Sequence, residues 1–156
     1  MHPHHDLVSR LFMALDRHDA ETMAGCYHES ARFRDIAFDL HSRREIQCMW
    51  QMICQTSDLR ATFRVIAVDD ASARVSLVDH YTFRQTGRKV RNEIESRFIF
   101  RDGLILSHED VCDPVAWGAM ALGGVRGFLA GRIRLLRSRA AARLLTEFHA
   151  AHPESC

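Results

Sequence analysis

Long hydrophobic runs are missing from this 156-residue sequence. No stretch of about 18 apolar residues occurs, so the sequence predicts no membrane-spanning helix. The opening MHPHHDL has neither the basic start nor the apolar stretch of a secretory signal peptide. We interpret it as a disordered polar tail, with metal binding by His2, His4 and His5 as the alternative.

Cysteine spacings typical of metal sites are also missing. The five cysteines are an odd number and include no CxxC or CxxH pattern. They are Cys26, Cys48, Cys54, Cys112 and Cys156. This pattern argues against a structural zinc site and against a disulfide framework. We therefore expect small buried thiols and a reducing, cytoplasmic location.

The composition is that of an ordinary globular protein, 47% hydrophobic and 26% charged. The length suits a single domain, residues 1–156, with a sizeable core. Its net charge of +1 is unevenly distributed, because residues 126–156 contain six arginines and only two acidic residues. The last part of the chain therefore differs electrostatically from the body.

Three helices are predicted before the first long strands. Apolar residues recur at helical spacing in the first, Asp19 is a candidate N-cap for the second, and Ser42 with Glu45 forms a capping-box pattern before the third. The predicted ranges are Asp6–Leu15, Ala20–Cys26 and Ser42 to about Cys54.

The middle of the chain alternates between apolar and polar residues, as strands do. One predicted face comprises Val75, Leu77, Asp79, Tyr81 and Phe83. The next strand has a charged outer face (Arg91, Glu93, Glu95, Arg97) and an inner face of Val90, Asn92, Ile94, Ser96 and Phe98. After a turn at Asp102-Gly103, the last strand has Leu106, His108, Asp110 and Cys112 on one face, with Ile105 and Val111 opposite. Three helices followed by an antiparallel meander predict an α+β fold, although the pattern leaves open which face of the last strand is buried.

Three stretches resemble the nuclear transport factor 2-like, or SnoaL-like, superfamily, which includes ketosteroid isomerase, limonene epoxide hydrolase and polyketide cyclases. They are "ALDRHDAETMAGCYHESARFRD", "GRKVRNEIESRFIFRDG" and "HEDVCD", in that order. The resemblance implies a cone-shaped curved antiparallel sheet packed against three N-terminal helices, with residues 6–113 as the core. It also implies an apolar pocket between sheet and helices, lined by Asp35, Asp79, Ser96, His108 and Asp110.

The resemblance also implies which chemistry is retained. Asp35 matches the general base of ketosteroid isomerase, but Leu11 and Ser96 replace its two oxyanion donors, so steroid isomerisation is not expected. Asp79 and Asp110 match the two acids of the epoxide hydrolase, whereas Leu77 replaces its arginine.

The predicted function is a cofactor-independent isomerase, hydrolase or cyclase that acts on a small hydrophobic molecule by aspartate acid–base chemistry. The predicted catalytic residues are Asp35, Asp79, Asp110 and His108. The predicted ligand-binding residues are Phe12, Phe33, Trp50, Phe63, Tyr81, Asn92 and Ser96. A non-catalytic binder or dimeric assembly module is the alternative, because buried Asp and His residues often only satisfy one another. No metal is predicted; a site of His108, Asp110 and Asp35 lacks a diagnostic spacing.

Residues 114–156 form a predicted helical extension. Asp113 is interpreted as the N-cap of its first helix, and four glycines suggest a broken entry. Its apolar stripe is Leu129, Ile133, Leu136, Ala140, Leu144 and Phe148. We favour packing on the domain or on a partner subunit over contact with a membrane surface, and no nucleic acid is expected. By resemblance to the family, a homodimer through the outer face of the sheet is expected.

Overall fold

The computed structural model describes residues 1–132, 134–154 and 156, and contains six helices and six strands among them. The helices are α1 (Pro3–Asp16), α2 (Ala20–Ala24), α3 (Arg43–Cys54), α4 (Pro114–Ala121), α5 (Gly124–Arg132) and α6 (Arg134–Ala151). The strands are β1 (Tyr27–Arg34), β2 (Asp39–Leu40), β3 (Arg60–Val68), β4 (Ser72–Phe83), β5 (Arg88–Arg101) and β6 (Leu104–Val111).

The predicted helix caps are confirmed. The Asp19 side chain accepts from the N–H of Thr22, and that of Ser42 from the N–H of Glu45. Each of these bonds satisfies an amide that would otherwise have no partner in the first turn of its helix.

The prediction of a disordered N-terminal tail was wrong, since α1 begins at Pro3 with His2 as its N-cap. Proline suits this position because its missing N–H would lack a partner there anyway. The ring of His4 stacks on Phe100 at 3.9 Å between centroids, and its Nδ1 lies 3.1 Å from the carbonyl oxygen of Asp69. These contacts attach the opening residues to the sheet.

The strands form one six-stranded sheet in the order β2-β1-β6-β5-β4-β3. The predicted meander β3-β4-β5-β6 is antiparallel, whereas β1 pairs with β6 in parallel. Asp102 and Gly103 both have positive φ in the two-residue β5–β6 turn, which matches the twist of adjacent strands. The result is the α+β, cone-shaped fold that the sequence predicts, with a curved sheet that does not close.

The inner face of the sheet packs on the N-terminal helices. Val75 and Leu77 are buried as predicted. The last strand departs from strict alternation, because Ile105 is fully buried although it was assigned to the face opposite His108. A register shift between Ile99 and Phe100 on β5 explains this, since it changes the pairing phase along β6.

The C-terminal extension folds onto the cone. Arg88 donates from Nε to the carbonyl oxygen of Met120 at 2.8 Å, which fixes the end of α4 to β5. Gly123 and Gly124 have positive φ between α4 and α5, which confirms the predicted break. Among the described residues, no helix has the length and apolar character needed to cross a membrane.

The predicted stripe on the last helix is displaced by one residue. Ala141 is buried and Leu145 packs against the core, whereas Ala140 and Leu144 are exposed. Leu129 is also exposed, and Ile133 and the side chain of Leu136 lie outside the described residues. Helical spacing cannot by itself identify the buried side of a helix that has small apolar residues on several sides.

One disulfide joins Cys48 on α3 to Cys156 after α6, across 108 residues of sequence. The expectation that all five cysteines are free thiols was therefore wrong for this pair, while Cys26, Cys54 and Cys112 are free. The pairing depends on the docking of α6 beside α3, which cysteine spacing does not reveal. The disulfide fixes the end of the chain to the N-terminal helices.

Candidate functional site

The predicted acids come from three separate elements. Asp35 directly follows β1, Asp79 lies on β4 and Asp110 on β6. Register places Asp79 opposite Asn92 and Asp110 opposite Ser96, on the inner face of the sheet. Burial is the main cause that raises the pKa of Asp35 and of Asp79, and the charge of Asp110 adds to the increase in both cases.

A continuous chain of side-chain hydrogen bonds ends at Asp110. The indole Nε1 of Trp50 donates to the hydroxyl of Tyr27 at 3.2 Å, and that hydroxyl lies 2.7 Å from Nδ1 of His108. Nε2 of His108 is 2.8 Å from Oδ1 of Asp110, which also accepts from Ser96. The His108 side chain is fully buried and that of Asp110 is 9% exposed.

Only the first of these bonds has a fixed direction, because an indole N–H can only donate. A hydroxyl that accepts from Trp50 still has its own hydrogen, and we infer that Tyr27 gives this hydrogen to Nδ1 of His108. The imidazole then has its hydrogen on Nε2 and donates it to Asp110. In this arrangement every donor and acceptor of the chain has a partner, and Oδ1 of Asp110 accepts two hydrogen bonds.

The surroundings of Asp79 are unlike those of Asp110, whose Oδ1 accepts two hydrogen bonds. Its Oδ1 is buried and has no hydrogen-bond partner among the described residues. Burial raises the pKa of this carboxyl to about 7, the Asp110 charge contributes to the increase, and the N–H of Asn92 partly offsets it. Near neutral pH, Asp79 can therefore exist as a protonated acid that has a hydrogen to donate.

Asp35 stabilises a loop and also has a raised pKa. Its Oδ1 accepts from the N–H groups of Ala37 at 2.7 Å and Phe38 at 2.6 Å, which shapes the loop between β1 and β2. Burial nevertheless raises its pKa to about 6, more than these two bonds lower it. The side chain therefore maintains the loop and still titrates near neutrality.

Several aromatic residues that were predicted to bind a ligand pack around the ring of His108. Phe33 contacts it edge-on at 4.9 Å between centroids, and Phe12 does so at 6.3 Å. Trp50 is roughly parallel to the ring at 6.4 Å. Phe63 lies one ring further out, 5.5 Å from Phe12. This aromatic shell excludes water from the hydrogen-bond chain, which strengthens its electrostatics.

The sequence analysis missed Tyr27, although its spacing from Phe33 places it on the buried face of β1. Tyr27 is fully buried and is one of only two tyrosines in the chain. Tyr27 lies an even number of residues before Ala31 and Phe33, so strand alternation identifies it as an inward polar group.

The C-terminal extension also adds residues near the acids. Trp117 on α4 donates from Nε1 to the hydroxyl of Tyr81 at 2.7 Å. Arg137 on α6 donates from Nε to the carbonyl oxygen of Ile36 at 3.0 Å, next to Asp35. Burial raises the pKa of the Cys112 thiol to about 11, and the charges of all three acids add to this effect. The extension thus covers the acid end of the cone.

The structure has two surface depressions near this region. One of about 450 Å³ lies between Gln85 and the α6 residues around Arg143, and one of about 240 Å³ is lined by residues that include Arg32, Arg34 and His108. Neither is lined by Asp35, Asp79 or Asp110. Among the described residues, His108, Asp110 and Asp35 do not bring three ligand atoms within 4.8 Å of one another, so that alternative metal site is not assembled.

Tyr27→Phe is expected to destabilise the protein by about 1 to 3 kcal/mol, because it leaves two buried ring nitrogens without a partner. They are Nδ1 of His108 and Nε1 of Trp50. Urea unfolding measures the loss, and ¹⁵N NMR of the imidazole follows the tautomer of His108. We expect the wild-type ring to carry its hydrogen on Nε2 and the variant to show a mixture of tautomers.

The matched control is Tyr81→Phe, which removes the other tyrosine hydroxyl of the chain. Among the described residues its hydroxyl has only Trp117 as a hydrogen-bond partner, so the tautomer of His108 should stay unchanged. An unchanged His108 spectrum in Tyr27→Phe would contradict the proposed direction of the hydrogen bonds.

The fold has counterparts among solved structures. A hypothetical protein from Catenulispora acidiphila with a ketosteroid isomerase-like fold, in complex with trimethylamine, superposes with a TM-score of 0.65 at 11% identity, covering 74% of this chain and 91% of that chain. An LEH-like epoxide hydrolase of Mycobacterium tuberculosis gives 0.58 at 15% identity, covering 84% and 92%. A putative polyketide cyclase from Xanthomonas campestris gives 0.59 at 17% identity, covering 70% and 89%. At these identities the similarity shows the fold alone.

The sequence itself matches a family model over most of the cone. No curated protein matches the chain. The model of the SnoaL-like domain matches residues 8–108, from α1 to the buried histidine of β6. The chain therefore belongs to the SnoaL-like domain family, within the nuclear transport factor 2-like fold.

Proposed function

We propose that this protein is a cofactor-independent acid–base enzyme that isomerises, hydrolyses or cyclises a small hydrophobic molecule. Asp110 is the base and Asp79 the acid, with Asp35 as a third ionisable group beside them. In this proposal the substrate contacts these carboxyls, and the aromatic residues Phe12, Phe33, Trp50 and Phe63 are its apolar contacts.

One observation supports this proposal most directly: two neighbouring carboxyls have opposite surroundings. Asp110 receives hydrogen bonds from Ser96 and His108 on one oxygen, which favours its ionised form. Asp79 has a buried oxygen with no partner among the described residues, which favours its protonated form. Pairs of titratable groups held in different protonation states are the usual basis of an acid and base assignment.

The proton transfers follow from these states. Oδ1 of Asp110 has two donors, and within the described part of the chain no donor reaches its Oδ2. Oδ2 can therefore take a proton from water or from a carbon next to a carbonyl group, while Asp79 gives its proton to the substrate oxygen. Tyr27 and Trp50 act as positioning residues, because they set the hydrogen on His108 that stabilises Asp110.

The reaction class is consistent with proteins of similar structure, which include an LEH-like epoxide hydrolase and a putative polyketide cyclase. A non-catalytic ligand binder or assembly module is the second candidate. It is favoured by Asp35, whose hydrogen bonds to Ala37 and Phe38 already explain its presence. A homodimer through the outer face of the sheet and a cytoplasmic location remain predictions.

The two candidates are separated by measuring binding and turnover on the same compounds. We would incubate the wild-type protein and the double variant Asp79→Asn/Asp110→Asn with a panel of epoxides and enolisable ketones. NMR shifts of the Trp50 indole report binding, and chromatography reports product. Turnover by the wild type alone supports the enzyme. Binding by both proteins without product from either supports the binder.

A further inference from the structure

Three side chains at the end of α6 bring soft metal ligands together outside the acid cluster. Cys48 is 4% exposed on α3, Cys156 follows α6, and His149 lies in the last turn of α6. One ligand atom from each lies within 4.8 Å of the other two. This is the only such group of three among the described residues, although the cysteines are now joined as a disulfide.

The surroundings suit a bound cation. Within the described residues, neither ring nitrogen of His149 has a hydrogen-bond partner, whereas Nδ1 of the nearby His152 lies 3.2 Å from the carbonyl oxygen of Phe148. His149 lies at the C-terminal end of an 18-residue helix, where the partial negative charge of the backbone carbonyls favours cations. Gln51 offers an amide oxygen 3.8 Å from the sulfur of Cys156, and water can complete a fourth position.

We propose that, when the Cys48–Cys156 disulfide is reduced, the two thiolates and His149 bind a Zn²⁺ ion. Two thiolates and an imidazole are a typical zinc ligand set. The same trio would then join α6 to α3 in both redox states, through a covalent bond when oxidised and through the metal when reduced.

Reduction of the disulfide and binding of the metal are two separate steps. A thiol or phosphine reductant supplies two electrons, and two protons from solvent convert the disulfide into two thiols. Binding of Zn²⁺ then releases these protons, so that affinity rises with pH. A tetrahedral site with bonds of about 2.3 Å places the two sulfurs about 3.8 Å apart. Reduction removes the covalent bond that holds the two sulfurs closer together than this.

The test uses the full chain, reduced with a phosphine and freed of metal. Zn²⁺ is titrated in competition with a chromophoric chelator, and Co²⁺ is added separately to detect thiolate coordination from its charge-transfer absorption. We expect one Zn²⁺ per chain beyond any background, with an affinity lowered at least about 10-fold by His149→Ala and more by Cys156→Ser. The oxidised protein should show only background binding. Hydrogen exchange of the last turns of α6 should be faster in the reduced apo protein and slow again with Zn²⁺.

Two matched variants control for other cysteines and histidines. Cys54→Ser changes a free thiol on the same helix as Cys48, and His152→Ala changes the neighbouring histidine. Both should retain the wild-type affinity, and far-UV circular dichroism verifies that all four variants fold. The proposal is overturned if the reduced wild type binds no more Zn²⁺ than Cys156→Ser, or if Cys54→Ser loses binding equally.

Discussion

Asp110→Asn and Asp79→Asn are each expected to lower kcat/KM by about 10²- to 10⁴-fold on any compound that the wild type turns over. An asparagine preserves the size of the side chain but cannot take or give a proton at neutral pH. In Asp110→Asn the hydrogen bonds from Ser96 and His108 can persist to the amide oxygen, so the loss should appear in kcat more than in KM.

The pH dependence distinguishes the two roles. The pKa of Asp79 is raised to about 7, and a general acid must be protonated to act. Wild-type activity should therefore fall as pH rises through about 7, and the residual activity of Asp79→Asn should lose this alkaline decrease. A steady-state pH profile measures both effects.

Asp113→Asn is the matched control for these two variants. Asp113 caps α4 by accepting from the N–H groups of Val115 and Ala116, which an amide oxygen can also do. Its activity should stay within about twofold of the wild type. Full activity in both Asp79→Asn and Asp110→Asn would refute the acid–base mechanism.

Asp79→Asn is also expected to stabilise the protein above neutral pH, by about 2 kcal/mol or more. The folded pKa of about 7 lies above the ordinary aspartate value of 3.8, so the folded state binds the proton more tightly than the unfolded state does. Stability therefore falls as pH rises between those two values, and the full penalty, on the order of 4 kcal/mol, applies above about pH 7. An uncharged asparagine avoids this penalty, although its amide is not fully hydrogen-bonded either.

Urea unfolding of both proteins from about pH 4 to about pH 8.5 tests this expectation. Near pH 4 Asp79 is protonated in the folded state and the two proteins should differ little. The difference between their free energies of unfolding should increase as pH rises. Asp58→Asn gives the opposite comparison, because hydrogen bonds from Thr82 and Lys89 hold the pKa of Asp58 well below its usual value. Asp58→Asn should not stabilise the protein at high pH. A difference in the free energy of unfolding between Asp79→Asn and the wild type that does not change with pH would contradict the burial argument.

Local sequence rules were sufficient for most of the cone. Helix caps at Asp19 and Ser42 and the turn at Asp102-Gly103 depend only on residues close in sequence, so their patterns identify them. Strand alternation placed Asp79 and Ser96 on the inner face, because one face of such a sheet must be buried. For His108 and Asp110 alternation was not enough, since the register shift on β5 changes the phase of β6, and the family resemblance was needed.

Other features of the site and of the fold depend on contacts between residues far apart in sequence, so only the tertiary structure reveals them. Tyr27 acquires its role only when β1 pairs with β6 and meets His108, 81 residues away. Cys48 finds Cys156 across 108 residues only because α6 docks beside α3. The sequence alone determined the elements, the fold class and the identity of the acids. The tertiary structure alone determined their protonation environments and the pairing of Cys48 with Cys156, since burial and long-range contacts set both.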